Sequence, residues 1–272
     1  MTNNWFIDID EKDYHAGAIC SGGTFMSSHN LATFRDNPRT FSLLALGRIP
    51  RAESPALAFG RAVHCHALEP SEEWTRRFLV SDGPVNEKTG APYGRSTQKY
   101  AQFLASTSKE VVSTKDYETI LGISESVWSH KEAHELLAKG SAERTIRVDD
   151  MDYGVPAQAR LDWFSPDYGI VDLKTTGDDL KWFDRAAHDF GYAYQMAFYR
   201  RLLELKSGTK FPVYIIAVEK KAPYTVGVFK YAEDVLAQAE AANDAALREY
   251  AECDASGVFP TRFEETRLLS RI

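Results

Sequence analysis

At 272 residues, 44% of them hydrophobic and 12% aromatic, the chain is long enough to bury one substantial α/β core. A formal net charge of −7 excludes a surface that is basic throughout, because affinity for phosphates comes from Lys and Arg releasing counterions; a cleft or ring can still concentrate positive potential locally. No basic leader with an apolar core opens the chain, no stretch approaches the roughly 20 apolar residues of a membrane span, and Cys20, Cys65 and Cys253 form no C-x-x-C pair, so a soluble, cytoplasmic protein without a membrane partner or a cysteine-held metal is expected.

In chain order, helical spacing over Ser27–Leu46, interrupted at Pro38, predicts two short helices, and Ala56–Leu68 predicts a third. Arg35, Arg39, Arg48, Arg51, Arg61, Arg76, Arg77 and Arg95 make this part arginine-rich and are candidates for a DNA-facing surface. Ser81–Ser96, SDGPVNEKTGAPYGRS, predicts a loop, after which a helical pattern resumes through Lys139. After Gly140 the period changes to two: residues from Ala142 to Thr176 predict three strands, turning at Asp152-Tyr153-Gly154 and Ser165-Pro166-Asp167. A helix from about Lys181 to Leu205 follows, then strands in PVYIIAVE and YTVGVFKY around a KKAP turn, then an amphipathic helix from about Asp234 to Glu252. One unit over 1–272 is expected, mainly helical over 1–140, with a mixed central sheet flanked by helices over 141–272.

The chemistry concentrates in Asp162 and in Asp172-Leu173-Lys174. Residues two apart in a strand share a face, so Asp172 and Lys174 project together while Leu173 points into the core. Two carboxylates from adjacent strands can hold Mg²⁺ with positions left open for a phosphate oxygen and a water, an arrangement suited to phosphodiester hydrolysis. Lys174 then orients or deprotonates the attacking water, or stabilises charge in the transition state. An acid and a lysine at the end of an apolar strand such as Ile170-Val171 are costly to bury unless function requires them.

On the following helix Gln195 and Tyr199 are four apart and share a face, with Tyr192 one turn earlier; both can reach a phosphate or the carboxylates. Phe190, Tyr194, Phe198 and Leu202 form a stripe on that helix with a core-facing reading. His66 lies a turn from Ala62 and Glu69, where a packed structural role competes with ligation and where His64 competes for either. Glu143 opens the first strand, as a solvated residue or as a further carboxylate at the metal.

The ordered set His66-Ala67-Leu68-Glu69, Leu161-Asp162, Asp172 to Thr176 and Tyr-x-x-Gln-x-x-x-Tyr (Tyr192, Gln195, Tyr199) resembles the RecB-type branch of PD-(D/E)XK nucleases. FRDNPRTF, LAFGRAVHCHALEP and VDLKTT followed by GYAYQMAFY are similar to the RecE-like, exonuclease VIII type enzymes of phage and prophage. The resemblance implies a PD-(D/E)XK core with a helical N-terminal elaboration, the nuclease domain standing alone. It implies a Mg²⁺-dependent enzyme, Mn²⁺ substituting, that degrades double-stranded DNA ends 5′ to 3′, leaving 3′ overhangs for a single-strand annealing partner in recombination. It also implies a ring-shaped homo-oligomer in the bacterial host's cytoplasm. Carried over, Asp162, Asp172 and the Leu173 carbonyl are metal ligands, Lys174 is the catalytic lysine, His66 is a metal-site residue, Glu143 stands near a further acid, and Gln195 and Tyr199 give supporting contacts. Two rival readings are an endonuclease on the same core and a non-catalytic DNA-binding protein.

Overall fold

The structure, a computed structural model, describes residues 4–51 and 54–268. Helix α1 (Glu11–Ala16) is followed by α2 (Ser28–Asp36) and α3 (Pro38–Ala45). Asn37 separates the last two: its extended backbone ends α2, its side chain accepts from the Thr40 amide, and Pro38 occupies the first turn of α3, where a missing N–H is harmless. Helix α4 (Pro55–Leu68) starts the same way, with Ser54 capping and Pro55 behind it. Then come α5 (Ser71–Arg77), β1 (Phe78–Val80), α6 (Gln98–Ala105), β2 (Glu110–Val112), α7 (Thr114–Ser129) and α8 (Lys131–Leu137). The parallel pair β1–β2 escapes the sequence reading, because a three-residue strand is too short for a period-two pattern to declare itself.

The main sheet contains β3 (Ser141–Val148), β4 (Ala157–Ser165), β5 (Gly169–Thr176), β6 (Val213–Glu219) and β7 (Val226–Lys230). Its order is β3-β4-β5-β6-β7, antiparallel except for the β5–β6 pair. The crossover between those two strands carries α9 (Phe183–Asp189) and α10 (Tyr192–Ser207), and α11 (Glu233–Ser256) closes the fold. The mixed sheet flanked by helices agrees with the predicted class. The single helix expected over Lys181–Leu205 does not form: Gly191, at φ 66°, divides it into α9 and α10, a conformation an L side chain adopts only with strain.

Two cores sandwich the sheet. On one side Ile146, Leu161, Ile170 and Val213 pack with Phe198 and Leu202 of α10, Leu247 of α11, and Phe34 and Phe41 of α2 and α3. On the other, Val171, Leu173, Ile216 and Val218 meet Val63 of α4, Ile120 and Ile123 of α7 and Leu137 of α8. The N-terminal helices thus cover both faces of the strands that bear the acids. Strand β5, buried on both faces through Leu173, reads as an uninterrupted apolar run broken only where Asp172 stands.

Candidate active site

Strands β4 and β5 pair as Trp163↔Val171, Phe164↔Ile170 and Ser165↔Gly169, and their ladder stops there although both strands continue. The next position in that register sets Asp162 opposite Asp172. Strands β3 and β4 pair at Ala142↔Trp163 and Arg144↔Leu161, which sets Glu143 opposite Asp162. Three carboxylates therefore occupy one row across three neighbouring strands. Asp162 explains the parting of the ladder: its Oδ2 accepts the Leu173 amide at 2.9 Å, so a side chain takes a hydrogen bond that a longer ladder would have given to backbone. Glu143 sits at φ 55°, a left-handed conformation costing a glutamate on the order of 1 kcal/mol.

Helix α4 brings His64 down onto this row. Its Nε2–H donates to the Leu173 carbonyl at 2.7 Å, and its Nδ1 lies 3.5 Å from Asp162 Oδ2. Ligand-type atoms of His64, Glu143 and Asp162 lie within 4.8 Å of one another. The position expected for His66 is thus filled by His64. Residues two apart on a helix are rotated by about 200°, so His66 faces away from the row. Its Nδ1 meets the Ser124 hydroxyl at 2.8 Å and its ring packs edge-on to Trp74 and Tyr117.

Asp172 is 1% exposed. Apart from the Lys174 ammonium, whose Nζ is 2.5 Å from Oδ2, no donor reaches either of its oxygens among the described residues. Burial, then the negative charge of Asp162, push its carboxyl up to about 6, against the pull of Lys174. Burial likewise raises Glu143 to about 7, although its carboxylate is 2.5 Å from Arg160 Nε. Burial alone would lower Lys174, but Asp172 and Asp162 together hold it above its ordinary value, as an ammonium. A buried carboxylate with one ammonium as its sole partner still carries a desolvation cost. A divalent cation would remove that cost, and the set of carboxylate and carbonyl oxygens with one imidazole suits Mg²⁺ or Mn²⁺.

Helix α10 closes the site from the other side. Gln195 Nε2 donates to the Tyr199 hydroxyl at 2.8 Å. Burial first, then Asp172 and Asp162, raise the Tyr199 phenol, which therefore keeps its proton. The Tyr192 ring lies 5.0 Å from Lys174 Nζ. Tyr199 and Tyr192 thus stand beside Asp172 and Lys174, and Gln195 is joined to them through the Tyr199 hydroxyl. Arg160, two residues before Asp162 on β4, was not singled out from sequence, although period-two spacing was the signal that could have found it. A cavity of about 320 Å³, lined by Asp152, Arg201, Glu240 and Asp244 among others, shares no residue with the row; the Asp152–Arg201 ion pair spans its wall at 3.2 Å.

Residues 27–271 match the family described as a PDDEXK-like domain of unknown function (DUF3799). The crystal structure of a candidate exonuclease from Eubacterium rectale is similar in fold, with a TM-score of 0.68 at 16% identity, over 98% of this chain and 96% of that one. No curated protein matches the sequence. No helix among the described residues is long and apolar enough to cross a membrane.

Proposed function

The chain belongs to the PDDEXK-like family DUF3799, and on that premise we propose that it is a Mg²⁺-dependent 5′-to-3′ exonuclease of double-stranded DNA, leaving 3′ overhangs for recombination by strand annealing. The observation that carries the hydrolytic reading is the buried, donor-poor Asp172 carboxylate, in contact with Lys174 and opposite Asp162. Asp162, Asp172, the Leu173 carbonyl and His64 would hold the ion, with Glu143 as a further acid. When bound, the ion supplies Lewis-acid polarisation of a phosphate oxygen and a more acidic water. Lys174, held charged by two acids, donates hydrogen bonds to developing negative charge or to the entering water. The protonated Tyr199 hydroxyl, oriented by Gln195, adds a further donor on the α10 side.

Dependence on ends and direction of travel are supported by the motif resemblance. Linear and nicked circular forms of one plasmid, incubated with Mg²⁺ and resolved on a gel, separate the readings. The linear form should disappear while the circle persists. A cut circle would instead indicate an endonuclease, and persistence of both would indicate a non-catalytic DNA-binding protein.

The same resemblance supports a closed homo-oligomer that threads duplex, with an annealing protein as partner. Closed symmetry would repeat one basic patch around a channel, reconciling a net charge of −7 with tight DNA binding. Of the arginines noted in the sequence, Arg35, Arg61, Arg76 and Arg77 are engaged within the chain, whereas Arg39 and Arg48 are exposed and enter no ion pair among the described residues. Light scattering is expected to give a multiple of the chain mass, and a monomer at working concentration would overturn the ring without touching the hydrolytic assignment.

A further inference from the structure

We infer that Phe190 is a stacking platform for an unpaired nucleobase at the DNA end, and that it fixes where the scissile strand enters the site; the inference rests on the nuclease reading above. Its position departs from the core-facing reading of the stripe. Phe198 and Leu202 of the predicted stripe are fully buried, but Phe190 lies before the Gly191 break and is 73% exposed. One face of its ring is covered: it stacks on Tyr192, with centroids 5.7 Å apart and planes inclined by 21°. The rest of the ring faces solvent.

What lies beneath Phe190 ties it to the acids. Tyr192 is the ring that faces Lys174 Nζ at 5.0 Å, and it packs with Phe183, Phe229, Ile215 and Ala217. Ile215 and Ala217 are the β6 partners of Asp172 and Lys174. The aromatic cluster therefore stands on the strand next to the acidic row, and Phe190 is its outermost ring. The Arg35 guanidinium lies close to the backbone at the residue after Phe190: a Cβ at Gly191 would be 3.8 Å from Arg35 Nη2. Arg35 is itself fixed over the Tyr194 ring at 3.7 Å and by Asn243. An exposed flat apolar face next to an immobilised cation matches the two faces of a nucleotide, base and phosphate. Every base has a π face, so such a contact is tolerant of sequence.

The test uses Phe190→Ala, Phe190→Leu and Phe190→Trp in the full chain, assayed with Mg²⁺ on a linear duplex bearing 2-aminopurine at its terminal nucleotides. Burial of Phe190 is slight, so the three variants should melt as the parent does. Stacking predicts that Ala and Leu raise KM about tenfold, leave kcat within about twofold, and abolish the change in 2-aminopurine emission on binding, while Trp restores both. Leu retains apolar bulk without a π face, so rescue by Leu, or an unaltered KM and emission change in the Ala variant, would overturn the platform while leaving hydrolysis in place. A parent protein that neither binds nor cleaves the duplex would overturn the platform and the nuclease reading together.

Discussion

Asp172→Asn is expected to lower turnover on linear duplex DNA by on the order of 10³-fold or more, with a smaller change in DNA affinity. The substitution keeps shape and removes charge. At 1% exposure the Asp172 carboxylate has Lys174 alone in ion contact; an amide oxygen can still accept from that ammonium, so the variant keeps the contact while losing the negative charge. Loss of that charge would remove an anionic ligand of the ion in the transition state as well as in the ground state. Asparagine is preferred to alanine because removing the whole side chain would leave Lys174 buried without its partner, at a cost of about 3–5 kcal/mol, and would confuse inactivation with unfolding. Single-turnover hydrolysis and thermal melting of the same preparation check both halves. Near-parental turnover in a folded Asp172→Asn protein would remove the row from the active site.

The second expectation concerns Mg²⁺ and pH together. Asp172, at about 6 in place of 3.8, and Glu143, at about 7 in place of 4.5, bind protons more tightly in the folded chain than in the unfolded one. The folded state therefore holds more protons than the unfolded state between about pH 4 and 7, and the sign of the linkage makes the ion-free protein lose stability as pH rises through that window. An ion that replaces those protons reverses the loss. At 100 times its dissociation constant it stabilises by about 2.7 kcal/mol, worth roughly 5–10 °C in Tm for a chain of this size. Mg²⁺ against EDTA should thus raise Tm by at least about 5 °C at pH 8 and by very little at pH 5, where protons hold the carboxyls, and Asp162→Ala should flatten the difference. Equal shifts at both pH values would show that the ion binds elsewhere.

Strands β3, β4 and β5 were legible because alternation and turn residues carry them, and with them the shared face of Asp172 and Lys174. The opposition of Asp172 to Asp162 follows from the single turn that joins β4 to β5. The histidine was not legible in the same way. His64 and His66 share one helix and one composition, and only the rotation of α4 against β5, set by Val63 and Cys65 packing into the core, decides which of them meets Leu173. The break at Gly191 was missed because the apolar period runs on across it, from Phe190 to Tyr194. A glycine inside a periodic stretch reads as a tolerated cost until tertiary contacts show that the chain turns there. The pairing of Arg160 with the left-handed Glu143 depends on the register of β3 against β4, which no single-strand pattern encodes.

The carboxylate that parts β4 from β5 also ties the birth of activity to the end of folding. His64, Glu143, Asp162, Asp172 and Tyr199 come from five elements spread over much of the chain, and none of them is near another until the sheet has registered. During synthesis the helices before β3 emerge first and can pack locally, but they hold only a histidine. A chain whose β4 has slipped by one residue against β5 has its acids on opposite faces of the sheet. Such a chain has no assembled row of carboxylates, so the candidate site comes into being only when β3, β4 and β5 have found their register.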